Sequence, residues 1–329
     1  MPSLQSRLFV FMVRHSHWLR LQPKRRTIID WDMASITDFR KQGEEGAKAF
    51  GKLSDEVKIT PVHIGNLYAE WIETATTPND KVILYFHGGG YVSGTCFAHR
   101  THVAKFVRGS GIRALLFEYR VAPEHPYPAA LDDALTAYEW LLAQGIQSSK
   151  IAFMGDSAGG GLVLATLLKL KDEGRPLPTA AVCLSPWTDL ACTGESLVTV
   201  AKLDPFTPGN AWTVFSYHYV GGNDPRLPYI SPLYGDMRGL PPILIYAGDY
   251  DVLIDDSRRF AAKAKAAGVE MDLRIGEGLF HCYPVCGSLF PEAQQAMNEI
   301  CAYLQTRVTS SVSKSDEQQW SPEALVMTP

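Results

Sequence analysis

The chain has 329 residues, of which 46% are hydrophobic, 20% charged and 11% aromatic, globular proportions that exclude a fibrous, collagen-like or wholly disordered protein. Lys and Arg number 31 against 35 Asp and Glu, a formal net charge of −4, and no basic stripe interrupts that balance, so no nucleic-acid partner is expected. The six cysteines are scattered, which suits free thiols in a reducing cytoplasmic setting, and no stretch approaches the roughly 20 apolar residues of an integral membrane segment.

Residues 1–50 read as N-terminal helices. Leu4, Leu8, Phe11, Met12, His15 and Leu19 share one helical stripe, which predicts an amphipathic helix packed on its own protein. The apolar run Leu8 to Val13 is short for a signal core, and Arg14, His15 and His17 follow it where a cleavage site would need small residues. The period then changes: Val57 to Ile64 and Leu67 to Ile72 flank Gly65-Asn66, a hairpin turn between strands. Val82 to Phe86, Ala114 to Tyr119, Ile151 to Met154, Ala180 to Leu184, Ile243 to Ala247 and a run near Asp272 to Ile275 read as further strands. Helical patterns over Leu131 to Leu142, Gly160 to Lys171, Ser257 to Ala267 and Pro291 to Leu304 alternate with them. Buried strands alternating with helices predict an α/β class and a mostly parallel sheet covered on both faces. Residues 51–186 and 241–307 thus read as two parts of one α/β core. The aromatic-rich interval 187–240 lacks a buried strand and reads as an insertion with helices of its own, while polar, aperiodic residues 308–329 read as a mobile tail.

Two motifs carry chemistry. Gly155-Asp156-Ser157-Ala158-Gly159 is a G-x-S-x-G between a strand and a helix. A serine hydroxyl is a poor nucleophile, so it needs exposure at a sharp turn, a neighbouring base and donors for the oxyanion. His87-Gly88-Gly89-Gly90 follows the strand Val82 to Phe86, where three glycines let main-chain N–H groups approach a substrate oxygen. A phosphate loop is disfavoured, because neither G-K-[ST] nor G-x-G-x-x-G spacing is present there. The α/β-hydrolase chain order then asks for an acid and a histidine downstream. Asp249, Asp251, Asp255 and Asp256 follow the strand Ile243 to Ala247, and His281 alone of the nine histidines lies beyond them. His87 reads as loop-shaping, His99, His102 and His125 as packing or surface residues, and Arg120 and Glu124 as structural partners. Cys282 and Cys286 are four apart near a histidine, but zinc pairs sit in tighter knuckles and no second pair completes four ligands, so no metal is expected.

Together with Tyr119 to Ala129 (YRVAPEHPYPA), Ser185-Pro186-Trp187-Thr188-Asp189 and Ser231-Pro232-Leu233, these motifs resemble the hormone-sensitive lipase family of α/β-hydrolases from about Val82 to about Tyr303. The resemblance implies an eight-stranded α/β-hydrolase sheet and a helical cap made from residues 1–50 and 187–240. It also implies ester hydrolysis without a cofactor. Tyr250-Asp251-Val252-Leu253-Ile254-Asp255 is similar to the family's D-P-L-x-D, which favours Asp251 as the acid over Asp249, with Asp255 and Asp256 left as helix caps or solvated residues. The family commonly has His-Gly-Phe where this chain has His281-Cys282-Tyr283.

The expectation is a carboxylesterase acting on small-molecule esters, and the resemblance implies short or medium acyl chains. Its triad would be Ser157, His281 and Asp251, with the N–H groups of Gly88, Gly89 and Ala158 holding the oxyanion. A homodimer is left open. A peptidase or amidase on the same fold is disfavoured by the esterase form of the glycine loop, and a non-catalytic small-ligand receptor by the retention of His281.

Overall fold

The computed structural model describes residues 2–15, 29–49, 53–205 and 209–309, so Leu19 and nearly all of the expected tail 308–329 lie outside the described residues. Its centre is one eight-stranded sheet in the order β1-β2-β4-β3-β5-β6-β7-β8. The strands are β1 (Val57–Ile64), β2 (Leu67–Thr74), β3 (Val82–Phe86), β4 (Arg113–Phe117), β5 (Ile151–Asp156), β6 (Ala180–Leu184), β7 (Ile243–Gly248) and β8 (Met271–Gly276). The first two form the expected hairpin, with Ile64 opposite Leu67 and Gly65 at φ +58° in the turn. β2 also runs antiparallel to β4, and every later pairing is parallel. Strands β3, β5, β6 and β7 are buried at every position, which is why they appear in the sequence as unbroken apolar runs.

Helices cover both faces. The helices, in chain order, are α1 (Leu4–Arg14), α2 (Met33–Ala49), α3 (Cys96–Ser110), α4 (Ala129–Ala143), α5 (Ala158–Asp172), α6 (Ser196–Thr199), α7 (Ala211–Val220), α8 (Ile254–Ala266) and α9 (Pro291–Thr309). Val82, Leu84 and Phe86 of β3 join one core with α2, α4, α5, α7 and α8; the alternate residues Ile83 and Tyr85 join a second core with α1, α3 and α9. This alternation is the two-residue period of a strand packed on both sides. Helix α3 has no apolar stripe strong enough to predict it, since His and Arg interrupt it. It is fixed at its ends, where the Thr95 hydroxyl accepts from the Ala98 N–H and Gly111 closes the helix at φ +67°.

Helix α1 forms, but with the opposite face inward. Leu4, Leu8, Phe11 and Met12 are exposed, while Ser6 and Val10 are buried and Phe9 packs on Phe280 and Phe290 at ring separations of 5.7 and 5.3 Å. Ser3 donates its N–H and hydroxyl to Glu292, which pins the helix to α9. Both faces of this helix carry apolar side chains, so periodicity alone could not choose between them. The interval 187–240 contains α6, α7 and a single helical turn at Pro232–Tyr234. Among the described residues, no helix is long and apolar enough to cross a membrane.

Candidate active site

The turn from β5 into α5 forces Ser157 to φ +56° and ψ −122°, a conformation a serine keeps only where its surroundings impose it. A Cβ on Gly155 would stand 2.6 Å from the Gly159 carbonyl oxygen, and one on Gly159 would stand 2.1 Å from that of Phe86. Glycine is therefore required at both ends of the pentapeptide. The Ser157 N–H donates to the Leu184 carbonyl at 2.8 Å, and the Trp187 N–H donates to the Ser157 carbonyl at 3.0 Å. Behind the serine stands the N-terminus of α5, whose dipole favours negative charge at this place.

Asp251 sits in the turn between β7 and α8 and is fully buried. Its Oδ1 accepts the Leu253 N–H at 2.9 Å and lies 3.0 Å from His281 Nδ1. A carboxylate only accepts, so Nδ1 carries the hydrogen and Nε2 keeps its lone pair for a proton. Burial pulls the His281 pKa down, but the Asp251 carboxylate outweighs it and holds the imidazole well above the ordinary 6.5. His281 follows β8, and the next residue fastens its loop: the Cys282 N–H donates to Ser185 Oγ at 2.9 Å and its thiol to the Leu184 carbonyl at 3.4 Å. That carbonyl thus anchors both Ser157 and the His281 loop at the C-terminal end of β6. Cys282 takes φ +54°, which explains physically why glycine suits this position in the motif the chain departs from.

The other acids after β7 are engaged elsewhere. Asp249 Oδ1 accepts the Gly278 N–H at 2.6 Å, and Asp255 Oδ2 accepts the Ser196 N–H at 2.9 Å. Asp256 is not solvated: it is buried, and Oδ2 accepts the N–H groups of Thr188 and Asp189 at 2.7 and 2.8 Å. Burial pushes its pKa up to about 8. This carboxylate ties α8 to the Ser-Pro-Trp-Thr-Asp segment, a role no local sequence pattern announces.

The glycine loop requires a correction. The Gly88 N–H is committed to Asp156 Oδ1 at 3.1 Å, and the same oxygen accepts the Tyr85 hydroxyl at 2.9 Å, so Gly88 is not available as an oxyanion donor. Gly89 (φ +120°) and Gly90 (φ +65°) follow, and their N–H groups, like that of Ala158, have no hydrogen-bond partner among the described residues. His87 is fully buried, stacks on Tyr119 at 4.0 Å and pairs Nδ1 with the Gly88 carbonyl at 2.8 Å. Burial lowers its pKa to about 3, which suits a neutral loop support. Arg120 pairs with Asp133 and Glu124 with Arg40, each through two or more contacts of 3.0 Å or less. His99 and His102 do more than pack at a surface, because both lie against Asp156.

Residues outside every motif complete the surroundings. The Trp212 ring of α7 stands edge-on to His281 at 5.7 Å, and Phe215 occupies the space a Cβ on Gly90 would need, 2.4 Å away. Phe39 of α2 meets Phe215 at 4.8 Å. A cavity of about 310 Å³ lies between α2 and the glycine loop and is bordered by Phe39, Gly43, Gly46, Gly89 and His99. None of these contacts can be located from spacing, since they join segments far apart in the chain.

Comparison with known proteins bears on the family and the reaction. A family described by the alpha/beta hydrolase fold matches residues 83–285. An acetyl-hydrolase of Streptomyces hygroscopicus is 38% identical over 80% of this chain and 87% of its own length. An esterase of Acinetobacter venetianus is 34% identical over 75% of this chain and 82% of its own. Among solved structures, an esterase from the bacterial hormone-sensitive lipase family is 38% identical with a TM-score of 0.84, covering 94% of this chain and 99% of that one. The esterase EstE5, soaked by p-nitrophenyl butyrate, is 36% identical with a TM-score of 0.84 over 94% of this chain and all of its own. The strained serine turn, the eight-stranded sheet and these relatives lead to one conclusion: the chain belongs to the hormone-sensitive lipase family of α/β-hydrolases and is a carboxylic ester hydrolase.

Proposed function

We propose that Ser157, His281 and Asp251 carry out the hydrolysis as a triad, and that the substrates are small esters with short or medium acyl chains. The observation that carries the triad is the 3.0 Å contact from His281 Nδ1 to the buried Asp251 carboxylate, at the end of the sheet that presents Ser157. Ser157 Oγ attacks the acyl carbon while His281 Nε2 takes its proton. The proton then passes to the departing alkoxide, which leaves as the alcohol. Water attacks the acyl-enzyme with His281 again acting as base, and the acid product and free Ser157 hydroxyl result. Asp251 holds the tautomer and stabilises the imidazolium. The oxyanion is received by the N–H groups of Gly89, Gly90 and Ala158, each such donor contributing about 3 kcal/mol to lowering the barrier.

The acyl preference is supported by kinship. A relative of Pseudomonas putida, 32% identical over 68% of this chain and 72% of its own, is named an ethyl acetate hydrolase. Residues 29–49 and 187–240 act as the cap over the glycine loop and His281. Ile29 exchanges main-chain hydrogen bonds of 3.0 and 2.7 Å with the Asn210 side chain, and Phe215 rests on the glycine loop. The test is a panel of p-nitrophenyl esters of graded chain length, run with the wild type and with Ser157→Ala. The wild type should favour short and medium chains, and the variant should lose nearly all turnover while keeping its fold. A variant retaining a tenth of wild-type kcat removes Ser157 from the mechanism.

A further inference from the structure

We infer that His99, His102 and Asp156 form a binding site for a divalent transition-metal ion of the zinc type, directly behind the serine turn. Helix α3 presents the two histidines three residues apart on one face, and β5 delivers the carboxylate at its C-terminal end. One ligand atom from each of the three lies within 4.8 Å of the others. The hydrogen-bond geometry points to a cation. His99 Nδ1 meets the Thr95 carbonyl at 3.0 Å, and because a carbonyl only accepts, that nitrogen carries the hydrogen. His99 Nε2 then faces Asp156 Oδ2 at 3.9 Å. His102 Nε2 is buried and has no hydrogen-bond partner. Two imidazoles and a carboxylate thus converge on one point, and one of the imidazole nitrogens there has no hydrogen-bond partner.

The donor set and its supports fit the metal. Two imidazole nitrogens and one carboxylate oxygen are zinc ligands, and a fourth position stays open for water. Bonds of about 2.0–2.2 Å in a tetrahedron place donors roughly 3.4 Å apart, so each side chain has to move by less than about 1 Å. The outer partners that orient such ligands are already in place: the Thr95 carbonyl on His99, and the Tyr85 hydroxyl and Gly88 N–H on Asp156. His99 also borders the cavity beside Gly89, which provides a route from outside. Ester hydrolysis does not use this ion; the site is an addition to that chemistry.

The experiment uses the full chain, stripped of metal by a chelator and dialysed. Zn²⁺ is titrated by calorimetry, and Co²⁺ is followed by its visible absorption in four-coordinate sites. We expect one equivalent of either ion in the wild type, with affinity weakened tenfold or more and the cobalt band lost in His102→Phe, which keeps the ring shape but removes the donor. His99→Gln, checked for fold by near-UV circular dichroism, provides an independent second variant. A wild type that takes up neither ion overturns the site. Binding of undiminished affinity in both variants places the metal elsewhere and overturns it equally.

Discussion

Replacing Asp251 by Asn separates the proposed triad acid from its neighbours, and its buried contacts determine what the change does. Oδ1 of Asp251 already accepts two N–H groups, those of Leu253 at 2.9 Å and of His281 at 3.0 Å, whereas Oδ2 is buried without a partner. An Asn that keeps its oxygen toward both donors leaves an NH₂ buried and unpaired. One that flips sets its NH₂ against the Leu253 N–H and forces His281 into the wrong tautomer. The unflipped form still removes the charge that stabilises the imidazolium. Breaking a buried charge pair costs about 3–5 kcal/mol, which corresponds to roughly 10²–10⁴ in rate when it falls on the transition state. The flipped form loses about 10⁴. The assay is kcat and kcat/KM on p-nitrophenyl butyrate across pH. His281 acts as base only when neutral, and Asp251 holds its pKa above 6.5, so the acid limb of the wild-type profile lies above that value. In Asp251→Asn the carboxylate no longer opposes burial, and the limb should move to lower pH as the plateau collapses. Retention of a tenth of kcat with an unmoved limb refutes the reasoning. So does a collapse in Asp249→Asn, whose carboxylate only holds the Gly278 N–H at 2.6 Å.

Two further outcomes follow from buried contacts. Asp256→Ala strands the N–H groups of Thr188 and Asp189, at about 1–3 kcal/mol each, whereas Asp256→Asn can still accept both; chemical denaturation should rank Ala well below Asn, and equal stabilities would contradict the assignment. Phe9→Ala removes a half-buried ring from Phe280 and Phe290 and should cost about 2 kcal/mol, roughly half the loss at a fully buried Phe, whereas Leu8→Ala on the exposed face should leave the melting temperature unchanged.

Elements with one available solution were legible in the sequence. Ala180–Leu184 and Val82–Phe86 are apolar at every position because both their faces are covered, and no turn residue blurs their ends. Ser157 was legible because a strand, a glycine-flanked serine and a helix in that order leave little else for the segment to be. His281 followed from chain order. Helix α3 was not legible because its inward face includes His102 and Cys96 among the apolar residues, and its stability comes from the sheet and α9 more than from its own pattern. The inward face of α1 was misread because Leu4, Leu8 and Phe11 make as good a stripe as Phe9, Val10 and Val13; only Phe280, Phe290 and Glu292 decide between them.

The oxyanion loop shows the same limit at the scale of one residue. Gly88, Gly89 and Gly90 are chemically identical, and nothing within His-Gly-Gly-Gly distinguishes which N–H groups face the substrate. The degeneracy is broken by Asp156, the residue before Ser157, whose carboxylate takes the Gly88 N–H and leaves those of Gly89 and Gly90 as the proposed donors. A Cβ on Gly88 would stand 2.2 Å from that carboxylate, so the first glycine is needed for close approach to Asp156 and the next two for the turn that follows. The middle residue of G-x-S-x-G is thus a structural partner of the glycine loop. If it is, Asp156→Asn, which keeps an oxygen acceptor for Gly88, should retain far more kcat than Asp156→Leu, which leaves that N–H buried and unpaired. Equal losses in the two variants would detach the aspartate from the loop and return Gly88 to the list of candidate oxyanion donors.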